Sequence, residues 1–125
     1  MHQRTEIIGR LGRDPEARYT AQAEMVVNMS VAVSSWEGKE SKTVWFTVVC
    51  WKDKAENAVK YLHKGDLIYA AGRLMSDDGG NPKAFTKKNG DPAAKFELTA
   101  DKVLYLETKK NRAEIPEANL DTDYF

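Results

Sequence analysis

One cysteine, two histidines and no excess of either charge: this chain of 125 residues lacks several things on which chemistry is commonly built. The single thiol, Cys50, excludes an intrachain disulfide and a cysteine-based zinc site, and points to a reducing compartment. His2 stands at the terminus and His63 at the polar end of a helical stretch, both positions where a histidine is ordinarily solvated. No Cys/His pair, His-x-x-x-His or nucleophile elbow occurs. Gly9-x-x-Gly12 lacks the rest of a phosphate loop, and Asp77-Asp78 reads as turn chemistry rather than a metal site. No catalytic set emerges, so the chain is expected to be no enzyme, with no cofactor and no bound metal. It has no apolar signal run at its start and nothing near the ~20 apolar residues of a membrane helix. The expectation is a soluble, cytoplasmic protein with no membrane partner.

The absent net charge is a sum of unlike parts. Nineteen Lys and Arg balance 19 Asp and Glu, which at face value argues against a nucleic-acid binder. All the bases lie at or before Arg112, however, where 15 acids leave a net of +4. Beyond it stand Glu114, Glu117, Asp121 and Asp123, with no base, before the chain closes on Tyr124 and Phe125. The expected organisation is one domain over residues 1–110 and an acidic tail over 111–125, disordered with an aromatic tip.

Hydrophobic patterning within the body is mostly of period two. Residues 7–11 form a short apolar run ended by a turn at Arg13-Asp14-Pro15. Over 26–34, Val27, Met29, Val31 and Val33 alternate with Asn28, Ser30, Ala32 and Ser34, which predicts a strand with its odd face in the core. Residues 35–42 read as a loop around Gly38. Residues 43–51 make a second strand with two bulky faces: Val44, Phe46, Val48 and Cys50 on one, Trp45, Thr47, Val49 and Trp51 on the other. A strand so built is either buried on both sides or turns its tryptophans to a partner. Cys50 falls on the apolar face as a small buried hydrophobe.

Residues 53–64 read as the one helix. Asp53 is the expected N-cap with Glu56 as its capping-box partner, Ala55, Ala58, Val59 and Leu62 are the apolar stripe, and Gly65 is the C′ residue. Strand returns over 67–75. Residues 76–94 carry Gly79-Gly80, Asn81-Pro82, Asn89-Gly90 and Asp91-Pro92, a long loop or loosely held hairpin, and residues 96–107 close with strand. Five strands with a helix between the third and fourth predict an all-β, five-stranded OB-fold barrel, with an SH3-like barrel or another small α+β fold as the alternative.

Three tryptophans, not one, decide between core packing and binding. Trp45 and Trp51 share a face, and Trp36 continues the parity of the small polar face Asn28/Ser30/Ala32/Ser34. Small polar residues edged by aromatic rings form a platform on which any base can stack; in proteins that bind single strands without sequence preference this contributes ~1–3 kcal/mol per base. Phe85, beside Lys87 and Lys88, adds a ring among positive charges. Arg10, Arg18, Lys52, Lys54, Lys64 and Arg73 are further candidates to track a phosphate backbone.

The run Ile7-Ile8-Gly9-Arg10-Leu11-Gly12-Arg13-Asp14-Pro15-Glu16-Ala17-Arg18-Tyr19-Thr20 resembles the opening of the bacterial-type single-stranded DNA-binding proteins. Ser30-Val31-Ala32-Val33-Ser34, the segment 43–51, Tyr61-Leu62-His63-Lys64-Gly65-Asp66 and Gly72-Arg73-Leu74 follow in the family's order, so the likeness spans roughly residues 5–107. It implies an OB-fold, a homotetramer wrapped by single-stranded DNA, and stacking aromatics at Trp36, Trp45, Trp51 and Phe85. It further implies that the tip, with Asp121, Asp123, Tyr124 and Phe125, recruits replication and repair proteins. The tail departs from the family pattern in lacking a long linker and in carrying Tyr124 where a proline is usual. A protein-interaction OB module of a primosome or recombination complex is the alternative function.

Overall fold

A computed structural model describes residues 1–108. The tail, with the residues assigned to its tip, lies outside the described residues. The elements in order are β1 (Thr5–Leu11), β2 (Glu16–Tyr19), β3 (Met25–Glu37), β4 (Glu40–Trp51), α1 (Asp53–Tyr61), β5 (Leu67–Leu74), β6 (Lys83–Thr86) and β7 (Pro92–Glu107).

Five of these strands close on themselves. The pairing runs β1-β5-β7-β4-β3 and returns to β1 through Arg10↔Ala32 and Leu11↔Val31. All pairings are antiparallel except β4 with β7, which runs parallel from Phe46↔Phe96 to Val49↔Thr99. This is the expected OB-fold barrel with the helix between its third and fourth strands. Closure brings backbones close where side chains are missing. A Cβ on Gly9 would collide with the Ala32 carbonyl, and one on Gly72 with that of Thr99, beside a register shift in β5.

The predicted odd face of β3 is indeed the inner one. Val27, Met29 and Val31 pack with Val48, Cys50, Ile68 and Leu98, and Ala55, Ala58 and Leu62 of the helical segment complete the same cluster. Burying one leucine such as Leu62 is worth roughly 1.5–3 kcal/mol. Val59, placed on the apolar stripe by its spacing, is exposed instead.

Four local expectations are corrected. The helix ends at Tyr61 rather than Lys64, and its C-cap is Leu62 in extended conformation, not a glycine. Its N-cap is Lys52, at φ 55 with no side-chain cap; Asp53 is the first helical residue, so no capping box forms. Residues 35–42 are not a loop: β3 and β4 continue in register to Glu37↔Glu40, around a two-residue turn whose first member is Gly38 at φ 64. The strand Glu16–Tyr19 went unpredicted; all four residues are exposed, so no alternation marks them. The long segment after β5 resolves as a β6–β7 hairpin.

Gly65 has another role. Its N–H donates to the Leu11 carbonyl (2.8 Å) and the Leu11 N–H donates to that of Asp66 (3.0 Å), which fastens the connection before β5 to the end of β1. Buried Asp66 in turn accepts the His63 N–H at 2.8 Å.

Candidate nucleic-acid interface

The β3–β4 register decides where the tryptophans go. Val26 is opposite Trp51, Asn28 opposite Val49, Ser30 opposite Thr47, Ala32 opposite Trp45, Ser34 opposite Thr43 and Trp36 opposite Ser41. Side chains opposite one another share a face, so all three indoles project from the outer face of one hairpin, with small residues between them. They are 68%, 53% and 40% exposed for Trp36, Trp45 and Trp51. Counted along β4, Trp45 and Trp51 are about 20 Å apart, and Trp36 lies about 13 Å further toward the turn.

Each indole has a different support. Trp51 is beside fully buried Val26, next to the barrel. Trp45 rests on the chain just after β1: a Cβ on Gly12 would stand 2.5 Å from its Cζ3 and 2.6 Å from its Cη2. Gly12 is fixed there because its N–H donates to the Ser30 carbonyl at 2.9 Å. Trp36 sits on the part of the hairpin that no third strand joins among the described residues, since β1 reaches only Ala32 and β7 only Phe46.

A cleft opens where β7 leaves β4 to pair with β6. Trp45, Thr47, Phe85, Lys95 and Phe96 line it. Phe85 is therefore brought to the tryptophan face, in β6 opposite Ala93. Phe96, half-exposed with its ring 5.5 Å from that of Phe46, was missed as a surface residue. Its parity matches buried Leu98, and no sequence signal marks the place where the barrel wall ends.

The cations fall into three groups. Arg18 lies opposite Val26, in one row with Trp51, and Arg73 lies opposite Thr99, which is opposite Val49. Both belong to the tryptophan face. Lys52 and Lys54 line a hollow with Trp51, together with Glu24 and Asp101. Lys87 and Lys88 are exposed at the β6–β7 turn, where the Lys87 N–H donates to the Asp91 carbonyl at 2.8 Å. Arg10 is engaged elsewhere through its side chain, and Lys64 is fixed through its backbone. The Arg10 guanidinium donates to the Gly65 carbonyl (3.0 Å) and to Glu107 Oε1 (3.1 Å), and Lys64 is on the α1–β5 connection with its N–H donating to Asp14 Oδ1 (2.8 Å).

The face is not uniformly positive. Glu97 lies opposite Thr47 and receives Lys83 Nζ at 2.8 Å on Oε2 and Lys95 Nζ at 3.5 Å on Oε1. Burial penalises its charge, but the Lys83 hydrogen bond and the two ammonium charges outweigh that and hold the carboxyl below the ordinary glutamate range. Arg4 grips Asp101 through both terminal guanidinium nitrogens, at 2.9 and 3.0 Å, and lowers that carboxyl as well. Among the described residues no group of His, Cys, Asp and Glu is arranged to hold a metal ion, and no helix is long and apolar enough to cross a membrane. The arrangement offers flat rings, small hydroxyls and cations, which suits stacking and phosphate contact rather than bond-making.

The comparisons agree with this geometry. The model of the single-strand binding protein family matches residues 2–106. A single-stranded DNA-binding protein of Neisseria meningitidis serogroup A is 35% identical over 105 residues, covering 80% of this chain and 57% of that protein. Its namesakes in Oceanobacillus iheyensis and Staphylococcus aureus are each 33% identical, covering 87% and 89% of this chain and 66% and 69% of theirs. The chain thus spans a little over half to about two thirds of the length of these relatives.

Proposed function

The chain belongs to the single-strand binding protein family, and from that premise we propose that it binds single-stranded DNA without sequence preference and without catalysis. The observation that carries the reading is the single face on which Trp36, Trp45 and Trp51 stand exposed around small polar residues. Successive bases stack on these rings and on Phe85, at ~1–3 kcal/mol per base in such proteins. Arg18, Lys52, Lys54, Arg73, Lys87 and Lys88 track the phosphates, a salt-sensitive contribution. Arg10, held by Glu107, serves the barrel before the ligand, and Lys64 contacts phosphate from the α1–β5 connection.

In this reading residues 1–110 are the binding domain of a homotetramer. It keeps intermediates of replication, recombination and repair single-stranded in the cytoplasm, in association with the nucleoid. The acidic tip, through Asp121, Asp123, Tyr124 and Phe125, recruits partner proteins. The test is titration with oligo-dT while tryptophan fluorescence is followed. Strong quenching that weakens as salt rises is expected; no quenching at low salt overturns the reading. Mass in solution, with and without oligo-dT, checks the tetramer.

A further inference from the structure

The β6–β7 hairpin places two like charges directly opposite each other. Lys83 pairs with Lys95 in the β6–β7 register, an arrangement that costs stability on its own. One carboxylate relieves it: Glu97, two residues along β7, takes Lys83 on one oxygen and Lys95 on the other. The strand β6 has four residues and, among the described residues, pairs only with β7. Lys95 also lines the cleft of Trp45, Phe85 and Phe96, so the cationic pair borders the stacking surface.

We infer that Lys83 and Lys95 form a phosphate site for single-stranded DNA, and that Glu97 holds it in the free protein as an internal substitute for that phosphate. The inference rests on the single-strand-binding reading above and deepens it. A carboxylate bridging two ammonium groups presents two anionic oxygens, as a backbone phosphate does. A strand whose bases stack on Trp45 and Phe85 brings phosphates to this border. There a phosphate competes with Glu97 for both lysines, and Glu97 tempers the affinity of the cleft without contributing to stacking.

The test measures oligo-dT affinity of the full chain against salt concentration for the wild type, Glu97→Gln and the double variant Lys83→Gln/Lys95→Gln, with circular dichroism to verify folding. Glu97→Gln is expected to bind severalfold tighter at low salt, with a steeper salt dependence. The lysine double variant is expected to bind more weakly, its slope reduced by about 0.7 for the lost phosphate contact. Glu97→Gln that binds equally or more weakly overturns the inference, since Glu97 then serves only the hairpin. An unchanged slope in the double variant overturns it too. A wild type that binds no oligo-dT overturns both this inference and the functional reading, whereas a binding wild type with indifferent variants overturns this one alone.

Discussion

The indole of Trp45 lies against Gly12, so close that a single added methyl would stand 2.5 Å from the ring. One glycine outside the platform thus sets the pose of the ring at its middle. Gly12→Ala must push the indole away. The ring is half-exposed and has room to move, so the fold should survive. We expect oligo-dT affinity to fall in the direction of Trp45→Ala, which at ~1–3 kcal/mol per base is about 5- to 150-fold. Unchanged melting with weakened quenching is the signature to look for.

Arg10 is predicted to matter for stability more than for binding. Its partner Glu107 has a side chain only 6% exposed, while Arg10 itself is 28% exposed. Breaking a buried ion pair costs about 3–5 kcal/mol. The partial exposure of Arg10 places Arg10→Ala at or below the bottom of that range. Urea unfolding should record the loss, while oligo-dT affinity of the folded variant changes little.

Cys50 is fully buried, and burial raises its thiol to about 11. Thiolate is the reactive form, so a thiol reagent at neutral pH should leave the native protein unmodified. Labelling should instead follow global unfolding. Fast labelling of the native protein would contradict the packing of β4 against the core.

Acid should unmask the Glu97 ion pairs. A carboxyl lowered in the folded state contributes stability above its unfolded pKa, ordinarily about 4.3, and loses it as pH falls through the folded value. The melting temperature of the wild type should therefore fall below that range, and the gap between it and Glu97→Gln should narrow. A gap constant with pH would show that the carboxylate charge contributes nothing.

Removal of residues 121–125 is predicted to leave oligo-dT affinity intact or to raise it, because a competing acidic segment is gone. A large loss of affinity would contradict the assignment of that segment to partner proteins.

The barrel was legible because its central strands alternate cleanly: Val27, Met29 and Val31 inside, the tryptophans outside. What escaped was decided by neighbours distant in sequence. Residues 35–42 are polar because both faces of the hairpin are wet there, not because the chain is irregular. Glu16–Tyr19 joins the sheet with no side chain buried, so its pairing leaves no trace in hydropathy. Phe96 has core parity but stands where the wall stops. Arg10 looked free because Glu107, its partner, is 97 residues away. The site followed the same rule: the three indoles were readable from parity, while the ion triad of Lys83, Glu97 and Lys95 required the β6–β7 register.

The end of the β3–β4 hairpin, which no third strand joins among the described residues, gives the platform unequal stiffness. Trp51 is anchored beside the barrel, Trp45 is braced by Gly12, and Trp36 rides on a two-stranded ribbon, which is marginal without a third strand. Amide hydrogens near the turn should exchange with solvent far sooner than those from Phe46 to Cys50. A ligand of irregular base spacing thus meets a fixed reference at one end and a compliant arm at the other. The tolerance of sequence proposed above would then come from mechanics as well as from chemistry.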